Sequence, residues 1–284
     1  MRWQMGRRSE NIEDRRGMPV GRGAAVGGGI GTLVLVLLAL YFGVDPSVIL
    51  QGGDPTSTAP APRAPQRSAG DDQLRDFVSV ILADTEDTWR ELFDRMGRQY
   101  QEPRLVLFSG AVQSACGFAE AAVGPFYCPG DKKVYIDLAF YRDLRDRLGA
   151  PGDFAQAYVI AHEIGHHVQN LLGIADRIRG AQGRRGQTEA NALQVRMELQ
   201  ADCFAGVWAN NAQRARQVLE AGDIEEGLNA ASAIGDDRLQ RQSQGRVVPE
   251  SFTHGSSAQR VRWFKRGIES GDPGQCDTFA ASRL

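Results

Sequence analysis

The sequence predicts an α+β domain, mainly helical with a small β-sheet, preceded by one transmembrane helix. Three observations predict it. Apolar residues recur at helical spacing over most of the chain after residue 72. Only two stretches, Leu105–Phe108 and the alternating Lys133–Leu138, read as strands. Residues 23–44 form an uncharged, largely apolar run, and 22 residues at about 1.5 Å each cover the ~30 Å hydrocarbon core of a bilayer. The chain has 284 residues and a net charge of -2, with 42% hydrophobic and 24% charged residues, a globular composition. That charge balance excludes a strongly basic nucleic-acid binder. Four cysteines exclude a disulfide-dense mini-scaffold.

Residues 1–22 hold Arg2, Arg7, Arg8, Arg15, Arg16 and Arg22 against three acids. No basic residue follows the apolar run until Arg63. The positive-inside rule therefore assigns residues 1–22 to a cytoplasmic tail. Residues 23–44 become an uncleaved anchor in the cytoplasmic membrane, and the rest lies outside. A cleaved signal peptide fits less well, because the run is long and Tyr41–Asp45 is a poor cleavage site. Residues 45–72, rich in Pro, Ala, Ser, Thr and Gly, read as a tether. Residues 73–284 remain as one domain of plausible size.

Within it, Leu74–Met96 has helical spacing, and residues 124–131 are turn-rich. Residues 137–148 turn helical. Asp153 suits an N-cap for a helix running to about Leu172 and closed by Gly173. A Gly- and Arg-rich loop, residues 180–187, precedes a helix at about Thr188–Asn210. More helix follows through Ile224–Gln244.

The chain has four histidines, and three of them, His162, His166 and His167, fall within six residues. Residues 162–166 read His-Glu-Ile-Gly-His. Positions i and i+4 share a helix face, so His162 and His166 can ligate one metal, for which Zn2+ suits imidazole. Glu163 stands one position round, where it reaches a water rather than the metal. His167 lies about 100° off that face and reads as packing or hydrogen bonding. Catalytic zinc needs a third protein ligand. Glu198 and Asp202, again at i and i+4, offer a ligand and a carboxylate that orients a ligand histidine. Glu189 and His254 compete with Glu198 for the third position.

These motifs, with a Gly-Pro-Phe-Tyr-Cys-Pro turn, the Val-Tyr-Ile-Asp strand, His162-Glu163-x-x-His166-His167-Val168-Gln169 and Phe252-Thr-His-Gly-Ser-Ser-Ala-Gln-Arg, resemble the bacterial neutral zinc metallopeptidase family over nearly the whole chain. The Glu-x-x-Ala-Asp helix also resembles membrane-bound CAAX prenyl proteases and heat-shock proteases of the gluzincin type. The pattern of His254 and an arginine six residues on, Arg260, looks like theirs. The resemblance implies a zincin-like peptidase domain holding one catalytic Zn2+ through His162, His166 and Glu198, with Asp202 in support and a peptide or protein substrate. Glu163 is then the general base and His254 the candidate oxyanion donor. The strand at Tyr135 is a candidate edge for binding substrate backbone.

The cysteines suit an exported domain. Cys116 and Cys128 flank a short loop and can pair, which would leave Cys203 and Cys276. Four cysteines allow three connectivities, and the sequence does not choose among them. Two other readings compete with the anchored endopeptidase: an exported zinc-binding protein that keeps the fold without turnover, and a hydrolase of a non-peptide bond. Intact Glu163 favours turnover.

Overall fold

The structure is a computed structural model, described here for residues 1–18, 69–120 and 124–284. The expected span at 23–44 and the tether as far as residue 68 lie outside the described residues. Among the described residues, no helix is long and apolar enough to cross a membrane.

A short strand, β1 (Ile12–Asp14), precedes helix α1 (Ala69–Arg95). Strand β2 (Arg104–Phe108) is followed by a hairpin, β3 (Ala111–Ser114) and β4 (Gly117–Glu120), then by β5 (Phe126–Cys128) and β6 (Lys133–Asp137). The rest is helical: α2 (Ala139–Asp146), α3 (Asp153–Leu171), α4 (Ile174–Gln182), α5 (Gln187–Arg216), α6 (Asp223–Ala233), α7 (Asp236–Gln244) and α8 (Ser257–Ser270). Single 3-10 turns lie at Pro249–Ser251 and Pro273–Cys276. The α+β expectation stands at this coarse level.

The main sheet has the order β1-β2-β6-β5. β1 and β6 both run parallel to β2, and β5 runs antiparallel to β6. Two expectations change here. The stretch read only as turns, residues 124–131, contains strand β5. The strand carrying Tyr135 is not an edge, because β6 is flanked by β2 and β5; Tyr135 is 1% exposed and its hydroxyl donates to Asp131. The strand at that end of the sheet is β5.

The expected boundary between a tail at 1–22 and a domain from 73 is also corrected. The described residues 1–17, 69–120 and 124–284 form one compact unit. Trp3 packs edge-on against Phe77 at 5.3 Å, and Ser9 and Asn11 donate to the buried carboxylate of Glu86. Ile12 pairs with Leu105 in register. Gly6 lies so close to α1 that an added Cβ would stand 2.5 Å from Val80 Cγ1.

Helix α3 starts at Asp153 with Gly152 as its N-cap, so Asp153 is not the cap that the sequence suggested. The Phe154 N–H is met by Glu226 instead, at 3.1 Å, while Asp153 faces the Met1 ammonium at 2.8 Å. The core is formed where α3, α5 and α8 meet, around Tyr158, Phe204, Trp208, Trp263 and Phe264, all 2% exposed or less.

Helices α5 and α8 touch backbone to backbone. A Cβ added at Gly206 would lie 2.2 Å from the Phe264 carbonyl oxygen, and one at Gly267 would lie 1.9 Å from that of Cys203. Gly267→Ala is therefore expected to force the helices apart and to cost about 1–3 kcal/mol, read as a lower urea midpoint. An unchanged midpoint would refute this account of the contact.

Candidate metal centre

Helix α3 presents His162 and His166 on one face, as the i, i+4 spacing requires, and α5 presents Glu198 and Asp202 opposite them. What lets the two helices approach is Gly165. A Cβ there would meet the Ala201 carbonyl oxygen at 2.9 Å and its Cα at 3.0 Å. The small residue inside His-Glu-Ile-Gly-His thus fits against the small residue between Glu198 and Asp202.

One donor atom from each of His162, His166 and Glu198 lies within 4.8 Å of the others. His162 Nε2 is 3.2 Å from Glu198 Oε2, and His166 Nε2 is 3.4 Å from the same oxygen. Two donors each roughly 2.0–2.1 Å from a tetrahedral zinc stand about 3.4 Å apart, so the set fits that ion. Glu189, the carboxylate competitor, is exposed and faces Arg185 at 3.6 Å, away from this group. His254 is not in the donor set. Its Nδ1 contacts Asp236 Oδ1 at 3.2 Å, and it lines the same cleft as His162, Glu163, His166 and Glu198.

Behind these three donors lies a buried polar cluster. Asp202, fully buried, accepts from His162 Nδ1 at 2.8 Å and from the Tyr158 hydroxyl. Arg260 binds both its oxygens, Nε to Oδ2 at 2.9 Å and Nη2 to Oδ1 at 2.8 Å. Because His162 donates through Nδ1, its Nε2 lone pair is the one left for a metal. Gln194 donates to Glu198 Oε1 at 2.8 Å, which leaves Oε2 for the same role.

The charges in this cluster decide its ionisation. Burial opposes an imidazolium at His162, but Asp202 and Glu198 outweigh it and raise the pKa to about 9. Burial likewise opposes charge on His166, and Glu198 raises it overall. Glu198 is held well below the ordinary carboxylate range, its burial overcome by His166 and His162. Asp202 is lowered in the same way, chiefly by Arg260 and His162. The site attracts positive charge, and a metal there would displace protons from the histidines.

His167 does something different. Burial lowers its pKa to about 4, so the ring is neutral. Its Nε2 donates to the Gln101 carbonyl at 2.6 Å, and its Nδ1 accepts from the Tyr127 hydroxyl at 3.0 Å. It ties strand β5 to helix α3. The cleft, about 480 Å³, is lined by His162, His166 and Glu198, by Phe126 and Tyr127 of β5, and by the apolar Phe140, Leu148, Val159, Ile234 and Leu239.

Sequence reasoning gave no role to Tyr158, Gln169, Gln194 or Asp236. Arg260 was legible only as part of a motif, six residues after His254. Tyr158 and Gln194 sit one helical turn before His162 and Glu198, and that spacing was the available signal. Asp236 had none, since it reaches His254 across a loop, accepting the backbone N–H of Thr253, His254 and Gly255.

The profile of the family described as "Putative neutral zinc metallopeptidase" matches residues 1–279. The chain is similar to the uncharacterized protein YpfJ of Escherichia coli (strain K12), 56% identical over 290 aligned positions that cover 99% of this chain and 100% of that protein. It is also similar to the uncharacterized protein Rv2575 of Mycobacterium tuberculosis (strain H37Rv), 44% identical over 261 positions covering 87% of this chain and 86% of the other. No solved structure matches it. With a family profile spanning the strand β1 and the helices α3, α5 and α8, the chain belongs to the neutral zinc metallopeptidase family.

Proposed function

We propose that the protein is a zinc-dependent peptidase that cleaves peptide bonds by attack of water. The observation that carries this reading is the convergence of His162, His166 and Glu198 donors in a cleft whose wall also holds Glu163. When bound, zinc supplies Lewis acidity to water and to the scissile carbonyl. Glu163 takes the proton of the attacking water and passes it to the leaving amine. Asp202, steadied by Arg260 and Tyr158, keeps His162 in the tautomer that ligates. His254, whose pKa is raised because Asp236 and Glu198 outweigh its burial, donates to the developing oxyanion. Strand β5, at the end of the sheet among the described residues, offers its outer edge to an extended substrate backbone.

We also propose that the domain works outside the cytoplasm. The pairs Cys116–Cys128 and Cys203–Cys276 support this, since disulfides persist in oxidising compartments. Contact with a lipid bilayer through residues 23–44 rests on their length and apolarity.

The test is zinc content together with cleavage of an unfolded protein such as casein. The expected result is about one zinc per chain and cleavage that a chelator abolishes and added zinc restores. His254→Ala is expected to keep its zinc and cleave more slowly. Stoichiometric zinc without cleavage would refute the peptidase reading in favour of a zinc-binding protein that keeps the fold.

A further inference from the structure

A line of buried amides runs from the second histidine of the site to the C-terminal disulfide. His166 Nδ1 donates to Gln169 Oε1 at 2.9 Å. Gln169 Nε2 donates in turn to the Met197 carbonyl at 2.7 Å and to Gln200 Oε1 at 3.1 Å. Gln200 Nε2 donates to the Cys276 carbonyl at 2.9 Å. Cys276 is bonded to Cys203, on the same helix as Glu198. Gln169, Cys203 and Cys276 are fully buried, and Gln200 is 5% exposed.

The direction of this line is fixed from its far end. A carbonyl can only accept, so the Cys276 oxygen demands the amide nitrogen of Gln200. That turns Gln200 Oε1 toward Gln169 and demands the nitrogen of Gln169. Oε1 of Gln169 is then left facing His166, where it accepts only from an N–H. His166 is thereby held with its proton on Nδ1 and its lone pair on Nε2, the nitrogen 3.4 Å from Glu198 Oε2. Flipping either amide would bury unpaired groups on both sides of it.

We propose that the Cys203–Cys276 disulfide, through Gln200 and Gln169, is a positioning element for the metal ligand His166, so that tight zinc binding depends on the oxidised pair. This rests on reading the site as a zinc centre. Residues after Cys276 reinforce the anchor, the Thr278 hydroxyl donating to the Arg196 carbonyl at 2.7 Å. Reduction by a water-soluble phosphine converts the disulfide and one water into two thiols and a phosphine oxide. It frees the Cys276 carbonyl to move, and the amides lose their fixed direction.

The experiment is a zinc titration of the full chain against a competing chelator, with the phosphine removed after reduction. Phosphine-reduced protein, the pair Cys203→Ala with Cys276→Ala, and Gln200→Leu (which keeps the disulfide) are each expected to bind zinc about 10–100-fold more weakly. Cys116→Ala with Cys128→Ala is expected to bind as tightly as the parent. With Co2+ in place of zinc, the visible absorption bands are expected to shift in Gln200→Leu and not in the Cys116/Cys128 variant. Circular dichroism identifies any variant that has unfolded, and Gln200→Leu decides if the cysteine variant has. Unchanged zinc affinity and cobalt bands in folded Gln200→Leu would overturn the proposal. His166→Ala separates the two readings: if it also binds zinc like the parent, the zinc centre itself is wrong.

Discussion

Glu163→Gln is expected to lower peptide hydrolysis by about 10²–10⁴-fold while leaving zinc content unchanged. The substitution keeps the size of the side chain and removes its ability to accept a proton. Glu163 is 7% exposed, on the cleft wall, and is not among the three converging donors, so metal retention does not depend on it. Zinc by mass spectrometry and turnover by peptide cleavage read the two effects separately. Retained activity would remove Glu163 from the proton transfer. Lost zinc would mean instead that it is a ligand.

The second large effect is expected from Arg260→Leu. Arg260 and Asp202 are 2% and 0% exposed, and the guanidinium grips both carboxylate oxygens. Removing it leaves a buried carboxylate with only Tyr158 and His162 to balance it. Breaking a buried pair in this way costs about 3–5 kcal/mol. Because Asp202 also orients His162, zinc affinity is expected to fall about 10–100-fold. Arg260→Lys is expected to recover little of either, since an ammonium does not reproduce the two-pronged contact. Urea unfolding of the metal-free chain measures the first effect and chelator competition the second. If Arg260→Leu matched the parent in both, the support assigned to this cluster would be wrong.

The contrast between Asp202 and Arg260 shows how the site was legible. Asp202 was found from its spacing to Glu198, because two residues one helical turn apart must share a face. Arg260 lies on another helix, 58 residues on from its partner. Its role depends on α8 packing on α5 through Gly206 and Gly267, which no spacing in the sequence announces. Strand β5 was hidden for a similar reason. Gly124, Pro125, Pro129 and Gly130 made its surroundings look like a turn, and only three residues between them are extended. The extent of the domain was misread for a stronger reason. The arginines of residues 1–16 carry the charge signature of a cytoplasmic flank, but in the fold they pair with acids: Arg7 with Glu86 and Asp87, Arg8 with Asp76, Arg16 with Asp14.

The sequence by itself determined the helical character of the chain, the one-turn pairs His162/His166 and Glu198/Asp202, and the place of Glu163 beside the first of them. All of these follow from helical periodicity, which acts over three or four residues and leaves its mark in spacing. The tertiary structure alone decided that residues 1–17 complete the sheet, that β5 rather than β6 ends it, and that Arg260, Asp236 and the Gln169–Gln200 line come to lie against the site. These depend on contacts between distant segments, where burial turns an ordinary polar residue into one that must find a particular partner.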